Sequence, residues 1–222
     1  MSSKVSIWLV RHGESESNAG LATRDAVTIP LTTTGHDQAA LVAGHFQSAP
    51  RKIVVSHYTR AQQTAAPLIE RFSQACVEQW PVHEFTYLPE EYYRGKTNAD
   101  RKDHEDQYWE RARPHECLGP GAESFAQFID RLATVRARLL AESRGPVIIV
   151  SHRRFLAGLI WLTLTNRAKV STRGMIRYRQ FDRGLGIKNG AIFHTQWEAG
   201  QPLVGPMQTD HLHALPRTSS QR

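Results

Sequence analysis

Three short segments of this chain carry imidazole or guanidinium groups, and each stands directly behind an apolar run. Arg11-His12-Gly13-Glu14 follows Val5-Ser6-Ile7-Trp8-Leu9-Val10. Ser56-His57-Tyr58-Thr59-Arg60 follows Ile53-Val54-Val55, and Ser151-His152 follows Val147-Ile148-Ile149-Val150. An imidazole can act as a nucleophile, and a neighbouring guanidinium can hold a tetrahedral anion by charge-assisted hydrogen bonds. Alone, Arg11-His12 reads equally well as an unremarkable surface pair. Three such endings on three strands are more specific. If the strands are parallel, the segments converge at one sheet edge, where open α/β sheets bind ligands. Two Arg and at least two His gathered there repel one another unless an anion sits among them, and phosphate suits the planar guanidinium best.

The elements that must position these groups follow from the apolar pattern. Strands are expected at Val5–Val10, Lys52–Val55, Val77–Val82, Val147–Val150 and Ala191–Trp197. Helices are expected from Thr34-Gly35-His36-Asp37 through Phe46, from Thr59 or Arg60 to about Phe72, from Ser124 onward, and over the apolar run Phe155–Leu162. Ser124 and Gln127 have the spacing of a capping box, and Phe125, Phe128, Ile129, Leu132, Val135 and Leu139 recur at helical intervals. Strands alternating with helices predict a three-layer α/β/α fold with a mostly parallel central sheet. The stretch from Glu84 to Ala122 breaks the pattern with Pro89, Pro114 and Pro120, and reads as a partly helical cap inserted over the strand ends. Residues 1–204 thus form one domain, and 205–222, with Pro206 and Pro216, read as a disordered tail.

A chain of 222 residues with 40% hydrophobic and 22% charged side chains can bury a substantial core. No apolar stretch approaches the ~20 residues of a membrane span, and no signal peptide is evident. Cys76 and Cys117 lack metal-type spacing, so reduced thiols and a cytoplasmic location are expected, with a single disulfide left open. The net charge of +7 is concentrated between Arg153 and Lys188, where nine basic residues face Asp182 alone. That bias suits anionic partners, although a solvated basic face is the plainer alternative. No nucleic-acid module accompanies it, which makes nucleic acid an unlikely partner. His211-Leu212-His213 is too sparse to indicate a metal, and a homodimer is left open.

The motifs resemble a known family. Val10-Arg11-His12-Gly13-Glu14-Ser15-Glu16-Ser17-Asn18 is similar to the opening signature of the histidine phosphatase superfamily, in its phosphoglycerate-mutase-like branch. Leu31 to Ala39, Ser56 to Ala65, Gly121-Ala122-Glu123-Ser124, Val150-Ser151-His152 and Asn189-Gly190-Ala191-Ile192 resemble its later blocks, in family order. The resemblance implies a phosphatase that needs neither cofactor nor metal and acts on a small phosphorylated substrate. It makes His12 the nucleophile that becomes phosphohistidine, and gives Arg11, Arg60 and His152 the phosphoryl oxygens. Gly13 and Asn18 would add neutral donors, and Glu123 and Ser124 would contribute to substrate binding. The acid would follow the third strand, which points to Glu84, with Glu90 and Glu91 as competitors in the same cap. Glu14 is not expected to be that acid, and His36, His57 and His83 receive no catalytic role.

Two departures bear on specificity. The compact run that follows the acid in many members is replaced by Tyr87-Leu88-Pro89-Glu90-Glu91-Tyr92-Tyr93-Arg94-Gly95, and Arg153 stands after His152 where Gly is usual. Arg153 is therefore expected to add an anionic contact. A phosphoglycerate-type mutase and a non-catalytic phosphate-binding module are the alternatives.

Overall fold

The computed structural model describes residues 5–142, 145–166, 170–198 and 201–214. Four parallel strands form most of a six-stranded sheet: β1 (Val5–Arg11), β2 (Lys52–Val55), β3 (Cys76–Gln79) and β4 (Val147–Ser151). Two more, β5 (Ile192–Glu198) and β6 (Gln201–Gln208), extend it antiparallel to each other, giving the order β3-β2-β4-β1-β5-β6. β2 and β4 read as unbroken apolar runs because they are buried on both faces, as interior parallel strands must be.

Successive side chains of each strand serve opposite layers. Val10, Ile53, Val55, Ile148 and Val150 pack with Val42, Ala43, Ala61, Ala65 and Leu68 from α1 (Thr33–His45) and α2 (Thr59–Arg71). Ile7, Leu9, Val54, Val147 and Ile149 point the other way, into a larger core. That core includes α4 (Phe125–Ala141), α5 (Arg153–Thr165) and α6 (Thr172–Leu185). The fold is three-layer α/β/α. The helices after β1 and β4 lie on opposite faces of adjacent strands, so a crevice opens between the two strand ends.

The cap from Glu84 to Ala122 contains a 3-10 turn, Glu90–Tyr92, and the helix α3 (Asn98–Arg111), started by a Thr97–Asp100 capping box. Its underside is an aromatic stack: Tyr87 on Tyr108 at 4.6 Å and Phe85 on Phe128 at 4.3 Å. The Ser124–Gln127 capping box forms as expected.

Several expectations are corrected. Residues 205–214 are not a loose tail. Gly205 to Gln208 complete β6, and Asp210–Ala214 form a 3-10 turn against α1; residues 215–222 lie outside the described residues. Pro206, which suggested disorder, sits with Pro202 on an edge strand, where a missing N–H is tolerated. The third strand ends at Gln79 because Trp80 and Val82 turn into the core. Helix α1 starts earlier, with Thr32 accepting from the Gly35 N–H at 3.1 Å. The sequence pattern missed α6 altogether. Cys76 and Cys117 are exposed free thiols. No helix among the described residues is long and apolar enough to cross a membrane.

Candidate active site

The crevice is a cavity of about 470 Å³ whose walls include Arg11, His12, Asn18, Tyr58, Arg60, Glu84, Tyr93, Arg153 and Arg154. His12 stands at its floor, 3% exposed. Its backbone N–H donates to Ser151 O at 2.9 Å, which ties the turn after β1 to the end of β4. Its Nδ1 lies 2.6 Å from Gly13 O. A carbonyl can only accept, so the proton sits on Nδ1 and Nε2 carries the lone pair. Arg60 Nε donates toward that Nε2 at 3.2 Å. Burial, followed by the charges of Arg60 and Arg11, holds the His12 pKa well below the usual histidine value, against the pull of the Gly13 hydrogen bond. The imidazole is neutral at pH 7.

Arg11 and Arg60 are the cations nearest the nucleophile in charge terms. Arg11 Nη1 donates to Ile187 O at 2.6 Å, and burial, then the neighbouring Arg153, lowers its pKa to about 10, leaving it charged at neutral pH. Arg60 lies over the Tyr58 ring at 4.9 Å and spends Nη1 on Ala26 O at 2.8 Å. His152 is fully buried beside His12, ring centroids 5.0 Å apart. Its Nε2 meets Ser56 Oγ at 2.8 Å, whereas Nδ1 has no partner. Burial, then Arg60 and His12, also holds His152 well below its ordinary pKa.

Asn18 is oriented by three donors to its Oδ1: Ser15 N at 3.3 Å, Ser15 Oγ at 3.0 Å and Asn189 Nδ2 at 2.9 Å. That arrangement leaves its own amide N–H groups for a ligand. Asn189 also reaches His12 O and Gly13 O, both at 3.1 Å, so the turn before β5 braces the loop of the nucleophile.

Glu84 lies at the N-terminus of α5. Its Oε1 accepts from the N–H groups of Phe85 at 3.0 Å, Arg154 at 3.1 Å and Phe155 at 3.3 Å. Oε2 has only a longer contact, 3.4 Å from Arg154 N, and is the freer oxygen. Its competitors Glu90 and Glu91 are exposed and do not line the cavity. Glu14 accepts from Thr32 Oγ1 at 2.8 Å and staples the first loop to the start of α1.

Three residues expected to meet the ligand have partners within the protein. The Gly13 N–H is consumed by Thr64 Oγ1 at 3.0 Å. Glycine is needed there for space, since a Cβ would meet Gly35 O at 2.4 Å. Glu123 is engaged by Arg131 through two hydrogen bonds, 2.7 and 2.6 Å, and Ser124 caps α4; neither lines the cavity. The Gly-Glu-Ser turn thus starts α4 and anchors Arg131. Arg153 does line the cavity, while its Nη1 lies 3.1 Å from the buried Asp182 of α6. The basic run is not one face: Arg153 and Arg154 face inward, Arg173, Arg177 and Arg183 are exposed on α6, and Arg167 and Lys169 lie outside the described residues. Of the other histidines, none of His36, His57 and His83 lines the cavity, and His211 Nε2 meets Gly190 O at 2.9 Å.

Sequence reasoning missed the wall supplied by α3. Asn98, Arg101, Lys102 and Glu105 follow the i, i+3, i+4, i+7 spacing that puts them on one face, and that face lines the cavity. Arg101 fastens the helix to the first loop, donating to Thr23 Oγ1 (3.2 Å), Lys96 O (2.9 Å) and Ser17 Oγ (3.3 Å), and to Asn98 Oδ1.

The sequence profile of the histidine phosphatase superfamily (branch 1) matches residues 7–177. An adenosylcobalamin/α-ribazole phosphatase of Salmonella typhimurium is 32% identical over 171 residues, covering 72% of this chain and 79% of the relative. Among solved structures, the α-ribazole phosphatase of Shigella flexneri superposes with a TM-score of 0.70 at 20% identity, covering 92% of this chain and 96% of that one. A phosphoserine phosphatase of Entamoeba histolytica, in complex with 3-phosphoglyceric acid, gives 0.70 at 21%, covering 94% and 99%. At such identities the structural likeness is one of fold.

Proposed function

The chain belongs to the histidine phosphatase superfamily, branch 1, and is a hydrolase of phosphoric monoesters; from that premise we propose that it works through phosphohistidine on His12. The observation that carries this reading is the state of the His12 ring: neutral, its proton fixed on Nδ1, its Nε2 lone pair turned toward a cavity with two guanidinium groups. An entering phosphoryl group draws Arg60 onto its oxygens and uncovers Nε2. Nε2 attacks phosphorus, the ester P–O bond breaks, and the leaving oxygen takes a proton from Glu84. Water then attacks the phosphohistidine and gives a proton back to Glu84, and the P–N bond breaks to release phosphate. Arg11, Arg60, His152 and Asn18 hold the equatorial oxygens, and the preorganised charge of the two guanidinium groups supplies most of the rate enhancement.

The substrate is a small phosphorylated metabolite. Tyr58, Phe85 and Tyr93 line the cavity along with the cations, which suits a leaving group with apolar or aromatic character. Because the Salmonella relative is named as an α-ribazole phosphatase, α-ribazole 5′-phosphate is the substrate to test first. The exposed free thiols accord with a cytoplasmic setting.

The test is release of phosphate from p-nitrophenyl phosphate and α-ribazole 5′-phosphate in chelator-containing buffer. Turnover is expected, with acid-labile phosphate trapped on the protein and both signals lost in His12→Ala. Absence of turnover from folded protein on a broad panel of monoesters would sink the proposal.

A further inference from the structure

Arg154, in the first turn of α5, is held from three directions. Its backbone N–H donates to Glu84, at 3.1 Å to Oε1 and 3.4 Å to Oε2. Its carbonyl accepts from Tyr178 Oη of α6 at 2.7 Å. Its guanidinium runs back under the cap, 5.0 Å from the Tyr87 ring centroid, and donates through Nη2 to Glu105 Oε2 of α3 at 3.1 Å. One residue therefore touches both the carboxylate at the strand ends and the helix that roofs the cavity.

We propose that the Arg154–Glu105 pair is a latch through which cap helix α3 sets the position of Glu84, making both of them positioning residues for protonation of the leaving group. The inference rests on the reading of Glu84 as the acid. Two features separate the pair from an ordinary surface ion pair. Both side chains line the cavity and are largely shielded, 15% and 24% exposed. The guanidinium also stays charged: burial opposes its charge, but Tyr87, Glu105, Glu84 and Asp182 together hold it well above the ordinary arginine value. With the backbone of the turn fixed by Tyr178 on one side and the side chain by Glu105 on the other, the N–H that holds Glu84 has little freedom. A displacement of the acid by a fraction of an ångström matters, because misplacement of about 1 Å can cost about a hundredfold in rate.

The measurement is kcat/KM for two esters that differ in their need for a proton. p-Nitrophenyl phosphate expels a stable phenolate, whereas phenethyl phosphate expels an alkoxide that must be protonated. Glu84→Gln should reduce the phenethyl ester about a hundredfold or more and the aryl ester far less. Glu105→Gln should reduce the phenethyl ester about tenfold and the aryl ester by less than about threefold, with inhibition by inorganic phosphate within about twofold of the starting protein. The double variant should be no worse than Glu84→Gln, because residues acting through one group are not additive. Glu105→Ala should repeat the selective loss and guards against a fold defect peculiar to one variant. Equal losses on both esters, or losses that multiply in the double variant, would overturn the latch while leaving the phosphatase reading intact. A loss in Glu105→Gln as large as in Glu84→Gln would also overturn it, marking Glu105 as an acid in its own right. Failure of the unaltered protein to hydrolyse either ester, together with no turnover on the broad panel of monoesters, would overturn both readings together.

Discussion

Mild acid should weaken this fold through two histidines that it keeps uncharged. His12 and His152 are 3% and 0% exposed, and burial, reinforced by Arg60, holds each well below the ordinary histidine pKa of about 6.5. In the unfolded chain both would take a proton near that value. Below pH 6.5 the unfolded state thus binds more protons, so stability rises with pH up to about 6.5 and is unaffected by these groups above it. Between pH 6 and pH 5 an unfolded histidine carries on average about 0.9 of a proton that the folded one lacks, a loss of about 1.2 kcal/mol per site, or about 2.4 kcal/mol for the pair. His83, lowered to about 3 by burial and then by Arg131 and His57, adds a smaller share because it is only half-buried. The assay is urea denaturation followed by tryptophan fluorescence at pH 6.0 and pH 5.0. His152→Asn keeps a polar group to meet Ser56 Oγ, and should shrink the stability lost between the two pH values by about 1.2 kcal/mol, whatever its effect on absolute stability. If the variant loses as much as the unaltered protein over that interval, His152 is not held neutral and the electrostatic account of the site is wrong.

Gly35→Ala, in the first turn of α1, should be severely damaging, because its Cβ would lie 1.9 Å from Glu14 O; a thermal melt should show a loss of about 3 kcal/mol or more. Asn189→Ala removes the amide that braces His12 O, Gly13 O and Asn18 Oδ1, and should raise the inhibition constant of inorganic phosphate about tenfold, with little change in melting temperature. Ser56→Ala strips His152 Nε2 of its partner in a fully buried position and should cost about 1–3 kcal/mol in denaturant unfolding; a neutral result would place water there.

What the sequence made legible is what local chemistry fixes. β2 and β4 are apolar on both faces, the Ser124–Gln127 box announces α4, and Arg11, His12, Arg60 and His152 sit at strand ends that the parallel sheet brings together. Helix α6 escaped notice because its exposed face is rich in arginine, and Met175, Tyr178 and Asp182 make too sparse a buried stripe to stand out. Asp182 shows the difficulty well: its burial under Arg153 and Arg179 depends on how α6 packs on α5, which no local pattern encodes. Glu123 and Ser124 show the opposite case: their motif is distinctive, and in the fold it makes a helix cap and a salt bridge to Arg131. The cap wall formed by Asn98, Arg101, Lys102 and Glu105 carried a readable spacing, yet only the tertiary fold says that this face looks inward.

The strand that bears His12 lies between β4 and β5, and its loop is tied by His12 N to Ser151 O, by Arg11 N to Ala191 O and by Gly190 N to Arg11 O. During synthesis the nucleophile therefore emerges long before the backbone that will hold it. The last of these partners follows about 180 residues later, on the order of ten to forty seconds at ordinary rates of translation. Until then the strand that carries Arg11 and His12 lacks its β5 partner, and the loop that grips phosphate is unfastened on that side. Catalytic competence is conferred only once residues 189–191 are in place, so a shortened chain that keeps His12, Arg60, Glu84 and His152 but stops before Asn189 would carry the whole chemistry and perform none of it.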